Sequence, residues 1–270
     1  MDTWQATLAL DYRLQGDRTV VSRRHSGPLL VQKALYPEGG HLAQTLLIHP
    51  PGGIAGGDSL ALDVDVQAGA QALITTPGAT RWYKANGRVA SQRVALRIAG
   101  GIEWLPQEAI VFDAAEAGSQ IDIELTGEAR MIGWDIVMLG RNAAGESFTR
   151  GTFTQTIRLL QAGRLQWIER TRLVGGDPLL GSPIGLAGNP VFGCLWAAGP
   201  QWRDETVEAL RERLPAATAP LTRLAPRLLL ARTLGATSRA VREALEAVWR
   251  ELRPLVFDGR AAVPPRIWAT

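Results

Sequence analysis

At 270 residues, with 29 glycines, 16 prolines and 46% hydrophobic residues, the chain can build one large β-rich body and has too few long amphipathic repeats for a helical bundle. Its single cysteine, Cys194, excludes an intramolecular disulfide framework and a thiolate cluster for zinc or iron–sulfur binding. The net charge of +3 rests on dispersed arginines, with Lys33 and Lys84 the only lysines, and no dense basic cluster of the nucleic-acid-binding kind occurs.

The N-terminal stretch has no basic region followed by an apolar segment, and no apolar run reaches membrane-spanning length, so a soluble, cytoplasmic protein without membrane contact is expected. Residues 4–13 (WQATLALDYR) and 27–35 (GPLLVQKAL) read as two early strands, separated by a charged turn that contains His25. Residues 42–49 (LAQTLLIH) lead into HPPGGIAGGD (49–58). Pro50 and Pro51 lack amide donors, while Gly52, Gly53, Gly56 and Gly57 can adopt positive φ, so this segment is a shaped loop rather than a helix or central strand. It presents His49 at its entrance and Asp58 at its exit. Beyond it Leu60, Leu62, Val64 and Val66 alternate with polar or small residues, which marks a strand.

Further strands are expected at 71–76, at 91–99 with Val94, Leu96 and Ile98 inward, and at 119–125 with Ile121, Ile123 and Leu125 inward. Between them, residues 102–115 concentrate Glu103, Glu108 and Asp113 among apolar residues, which suits either a solvent-facing turn or acid–base chemistry. Residues 129–141 (ARMIGWDIVMLGR) are apolar in both phases, as in a strand covered on both faces. Asp135 within it needs a partner, either an arginine inside the fold or a cation, because an unpaired buried carboxylate costs several kcal/mol. Residues 153–163 and 164–177 form a hairpin whose second run puts Leu165, Trp167, Glu169, Thr171 and Leu173 in one inward phase. Glu169 is then either salt-bridged to an arginine or part of an internal polar channel. The stretch 178–202 is rich in Gly and Pro and surrounds Cys194, a buried apolar thiol with no nearby histidine to activate it.

A change of composition at 203 divides a β-rich body (1–202) from a helix-containing part (203–270). Helices are expected over 204–214 and over 238–252, the second capped by Ser238, carrying Val241, Leu245, Val248 and Leu252 on one face and stopped by Pro254; residues 226–235 read as a strand. The tail ends in PPRIWAT (264–270). No phosphate-binding glycine motif, histidine-based zinc motif or nucleophile elbow is present. On residues alone the chain is a mainly β, non-catalytic scaffold with suspicious internal carboxylates.

HPPGGIAGGD (49–58), TPGATRWYK (76–84), EWLPQEAIVFDAA (103–115), GRNAAGESFTRG (140–151) and PPRIWAT (264–270), in this order, resemble the UreD family of urease accessory proteins, called UreH in some organisms, from about residue 25 to the end. The resemblance implies a single non-enzymatic domain, a β-helix-like stack of short strands with two helices in its C-terminal quarter. It also implies a chaperone that joins UreF and the GTPase UreG in a hetero-oligomer on apo-urease and enables nickel insertion. No cofactor is expected to be tightly bound, and nickel would pass transiently through a water-filled interior. The resemblance gives Asp58, Asp135 and Glu169, with His49, a role along that passage, although Asp58 also suits turn capping. It gives the C-terminal helices and the tail, with Arg266 and Trp268, a role in binding UreF, although a tail packed on its own body is an equal reading. The rival reading is a β-helical enzyme that processes glycans with Glu103, Glu108 and Asp113.

Overall fold

The computed structural model describes residues 3–215 and 219–269. A hairpin of β1 (Gln5–Gln15) and β2 (Arg18–Ser26) is followed by β3 (Leu30–Val31) and β4 (Leu42–Ile48). The chain then winds between two sheets. β5 (Ser59–Val66), β8 (Ala90–Ile98) and β11 (Ala115–Leu125) lie in the first. β6 (Gln71–Thr75), β7 (Thr80–Trp82), β9 (Gly101–Trp104), β10 (Ala109–Val111) and β12 (Arg130–Leu139) lie in the second. A hairpin of β13 (Gly151–Gln161) and β14 (Arg164–Val174) ends the first sheet. β15 (Val191–Ala198), β16 (Leu221–Ala225) and β17 (Leu228–Gly235) end the second as antiparallel strands, with helix α1 (Asp204–Arg213) between β15 and β16 and helix α2 (Ser238–Val256) after β17.

Within the described residues the first sheet runs β14-β13-β11-β8-β5-β1-β2, and its central five strands are parallel. Returning to the same sheet by way of the other one puts equivalent residues side by side. Leu62, Val94, Ile121 and Ile157 form one such row, and Val64, Leu96, Ile123 and Leu159 the next. These inward rows meet Ala72, Ile74, Ile102, Met131, Val137 and Trp196 of the second sheet in one hydrophobic core. The opposite face of the second sheet is apolar too. Ile132, Trp134, Ile136, Leu195 and Leu229 pack against Val241, Leu245, Val248, Trp249 and Leu252 of α2 in a second core. A β12 buried on both faces is what its two-phase apolar pattern requires. The mainly β architecture with two helices late in the chain thus follows from the patterning.

Several local expectations are corrected. The charged segment 16–27 is mostly strand: β2 is an edge strand whose Arg23, Arg24 and His25 are exposed, and edge strands tolerate such residues because one side faces solvent. Residues 178–202 contain β15, a central strand with Cys194 buried, which the surrounding glycines and prolines concealed. Helix α2 is capped by Thr237, whose side chain accepts from Ala240 N at 3.2 Å, rather than by Ser238. It also continues through Pro254 to Val256, since a proline in the last turn frees only the carbonyl of exposed Arg250. In the 164–174 strand Leu165 is exposed while Trp167 and Leu173 are buried, because a register shift at Leu159–Leu160 turns the end of the hairpin outward.

Candidate functional site

The second sheet is interrupted at the same level in successive rungs, and prolines stand at each break. Pro50 and Pro51 follow β4, Pro77 separates β6 from β7, and Pro106 separates β9 from β10. Proline has no N–H to give to a ladder, so parallel pairing stops there. β12 is unbroken. It pairs with β9 through Arg130–Gly133 and with β10 through Val137–Leu139, and Asp135 falls opposite the gap, with Cys194 of β15 as its partner on the other side. Asp135 shares its phase with Met131 and Val137, so it points between the two sheets.

The first sheet answers with a polar row. Leu60, Gln92, Ser119, Gln155 and Thr171 are successive cross-strand partners, one step from the all-apolar row that runs through Val94. Gln155 Nε2 donates to Asp135 Oδ2 at 2.8 Å. Gln92, Ser119, Gln155, Asp135 and Trp104 border a chamber of about 50 Å³. Asp135 is enclosed by protein, and the surface it retains faces this chamber. Burial pushes its pKa up to about 6; the Gln155 hydrogen bond opposes that shift and the charge of Glu169 adds to it. The partner of this carboxylate is therefore an amide, where the sequence reading offered an arginine or a cation.

Toward the HPPGG loop the chamber adjoins a cavity of about 230 Å³ that contains His49, Gly52 and Gly53 and shares Thr76, Thr80 and Gln92 with it. The loop is closed by Gly52 N donating to His49 O at 2.8 Å, with Gly52 at φ +74° and Gly57 at φ +95°. A Cβ at Gly53 would lie 2.5 Å from the Tyr83 ring and one at Gly56 would lie 2.4 Å from Asn86 Oδ1, so the loop seats directly on residues 81–88. Asp58 is buried and accepts from Trp4 N at 2.8 Å and Ala55 N at 2.9 Å, as a cap of this turn. Burial lowers the His49 pKa against the pull of Asp58, which leaves the imidazole neutral at pH 7, and its Nε2 is buried with no hydrogen-bond partner.

Beyond Asp135 the row ends at Thr171, and Glu169, the partner of Ile157 in the adjacent row, borders with it a groove of about 580 Å³ together with Cys194 and Arg232. Glu169 is ion-paired with Arg232. Burial pushes the Cys194 thiol well above the usual thiol range, which keeps it un-ionised. Among the described residues, no three His, Cys, Asp or Glu side chains converge as a metal-binding group. His49 and Glu169 instead lie toward opposite ends of the polar row, with Asp135 facing its middle, and Asp58 stands beside the loop end.

The remaining singled-out residues lie elsewhere. Glu103 faces α2, where Trp249 Nε1 donates to it at 2.8 Å and Arg253 pairs with it at 2.8 Å. Glu108 accepts from Ser238 Oγ, and Asp113 caps residues 149–150 and pairs with Arg150. Each of these three acids has its own structural partner, and they form no common site. Trp268 is half-buried against Trp134 and Trp249 at centroid distances of 5.4 and 5.9 Å and donates to Thr75 Oγ1, while Arg266 is exposed. Sequence reasoning passed over Gln92, Ser119 and Gln155, although each is a polar residue in the inward phase of an otherwise apolar strand.

No helix of the described residues is long and apolar enough to cross a membrane. A sequence model described as "UreD urease accessory protein" matches residues 5–269. The chain is 48% identical to a urease accessory protein UreD of Dechloromonas aromatica (strain RCB), over 99% of this chain and 95% of that protein. It is 49% identical to one of Pseudomonas fluorescens (strain Pf-5), over 99% and 96%, and 47% identical to one of Pseudomonas aeruginosa (strain PAO1), over 99% and 95%. With matches that run the length of the chain, this protein belongs to the UreD family of urease accessory proteins.

Proposed function

We propose that the protein acts in the cytoplasm with UreF and UreG as a chaperone on apo-urease, and that nickel destined for the urease active site passes between its two sheets. Nickel is cargo in this reading: no tightly bound cofactor is involved, and the assembly is a hetero-oligomer. The observation that carries the reading is the polar row itself. An interior built from apolar rows admits Gln92, Ser119, Gln155 and Asp135 along one line, with His49 toward one end and the Glu169–Arg232 pair at the other.

Polar groups placed so are costly in a hydrophobic interior and weaken the core unless they have work to do. The ligand types suit nickel, which accepts carboxylate, water and imidazole, and a string of separate, weak oxygen donors releases an ion as readily as it takes one up. Asp58 supports the loop that holds His49 rather than meeting the metal.

The test is Asp135→Asn in the full chain, co-expressed with urease and its accessory proteins. Co-purification with UreF is expected to be intact and nickel per urease to fall; normal nickel loading would refute the passage. Deletion of residues 264–270 separately tests the tail as a UreF-binding element, with loss of co-purification expected and retained binding by folded protein counting against it.

A further inference from the structure

We propose that the open edge of β14 is a docking site for an extended acidic segment of a partner protein, which adds a strand to the first sheet and lays its apolar side chains against β17. Nothing in this contact depends on metal reaching the interior.

The two sheets end at different places. β14 is the last strand of the first sheet, and among the described residues β13 is the only strand that pairs with it. Opposite β14 lies β15, with Trp167 and Trp196 at a centroid distance of 5.8 Å. The second sheet continues past β15 by two more strands, β17 and β16. Leu230 of β17 belongs to the main core, whereas Arg232 and Leu234, in the same phase further along, do not. Glu169 reaches from β14 to pair with Arg232, and Leu234 is 43% exposed. Leu173, Leu186, Phe192 and Leu234 give the groove beside β14 its apolar wall. At its rim Ile184, which adjoins Gly185 of the wall, is 91% exposed. An uncovered apolar strip beside an unpaired sheet edge is what strand addition uses: main-chain hydrogen bonds go to the edge, and every second side chain goes into the groove.

Charge selects the occupant. The outward phase of β14 carries Ile168, Arg170 and Arg172. Both arginines are exposed and, among the described residues, neither is in an ion pair. Their cross-strand neighbours on β13 are Thr156 and Thr154. The nearby acids are already taken, Asp122 by Arg158 and Glu169 by Arg232. A second copy of β14 pairing at this edge would set arginines beside arginines, which is destabilising. A segment that alternates acidic with apolar residues matches both faces at once, since its acids lie beside Arg170 and Arg172 and its apolar side chains fill the groove. A nucleic acid would answer the arginines but neither the apolar groove nor the free amide and carbonyl groups of the edge.

The experiment uses the full chain and a fluorescent peptide as long as β14 in which glutamate alternates with valine, with binding followed by anisotropy. One companion peptide has lysine in place of glutamate, and another is N-methylated at every amide, which removes the donors and keeps the charges. The glutamate peptide is expected to bind, and each companion at least about tenfold more weakly. Arg170→Glu combined with Arg172→Glu is expected to weaken the glutamate peptide at least about tenfold and to strengthen the lysine peptide. Leu234→Asp is expected to weaken the glutamate peptide through the groove, and the double arginine variant alone decides if Leu234→Asp does not fold. No binding of the glutamate peptide, or binding that the arginine variant leaves unchanged, overturns the proposal. An N-methylated peptide that binds as well as the unmethylated one also overturns it, by reducing the site to a charged patch. A DNA duplex bound as tightly as the peptide and lost in the arginine variant would assign the arginines to nucleic acid, and an oligomer in sedimentation that the same variant dissociates would assign the edge to a second copy; either result overturns it too.

Discussion

The two faces of the second sheet bury carboxylates in opposite ways. On the outer face Glu103 accepts from Trp249 and is forked by Arg253, which also reaches Glu38 at 2.7 Å and the carbonyl of Ala261. Burial pushes the Glu103 carboxyl up, and the Arg253 charge opposes it. On the inner face Asp135 has one amide hydrogen bond and a second acid, Glu169, within electrostatic reach. Asp58 illustrates a third solution, a buried carboxylate satisfied by two backbone amides. Glu103 and Asp58 are tied into the architecture, whereas Asp135 is left undercompensated where a cavity meets it. An undercompensated acid in a cavity marks a candidate functional group, and it is on this contrast that the proposed passage rests.

The largest test of this contrast is Arg253→Met, which strands Glu103 and Glu38 and is expected to destabilise the fold by about 3–5 kcal/mol in denaturant unfolding; adding Glu103→Gln should restore part of that loss. Trp268→Ala removes a half-buried ring from between Trp134 and Trp249, with an expected loss of about 2 kcal/mol and a lower Tm.

Asp135→Asn should have the opposite sign. A folded-state pKa of about 6, raised from 3.8, means that the native protein binds a proton more tightly than the unfolded chain. Wild-type stability therefore falls as pH rises from about 4 to about 6. The full shift corresponds to roughly 3 kcal/mol, and Asp135→Asn should recover about 2 kcal/mol at pH 8 and nothing at pH 3.5. Equal stability of mutant and wild type across that range would break the comparison. The smallest effect is expected for Asp58→Asn, about 1 kcal/mol from the weakened cap, read as a small drop in Tm.

Much of the fold was legible because burial on one face or two leaves different spacing. Val94, Leu96 and Ile98 revealed a strand covered on one side, and the two-phase pattern of residues 129–141 a strand covered on both. β15 was not legible, since Pro190 and its glycine-rich approach resemble a loop while the strand's partners, β12 and β17, are far away in sequence. At the site, Asp135 and Glu169 stood out because charge is conspicuous in an apolar strand. Gln92, Ser119 and Gln155 did not, because a neutral polar residue in a strand looks like an outward one until the register of its neighbours is known. Arg232, the partner of Glu169, lies 63 positions later in the sequence, and only the antiparallel return of β17 brings it there.

The second core has a consequence for how the chain is made. Leu42, Leu73, Ile132, Trp134 and Ile136 belong to strands that emerge early, but their cover, α2, begins only at Ser238. A nascent chain that has completed β12 carries a bare tryptophan-bearing sheet face until almost all the remaining residues have left the ribosome. Such surfaces self-associate at ordinary cellular concentrations. Ribosome stalling or premature termination between residues 140 and 237 should accordingly yield aggregates rather than a soluble β fragment, and the yield of usable protein should depend on how quickly translation crosses that interval.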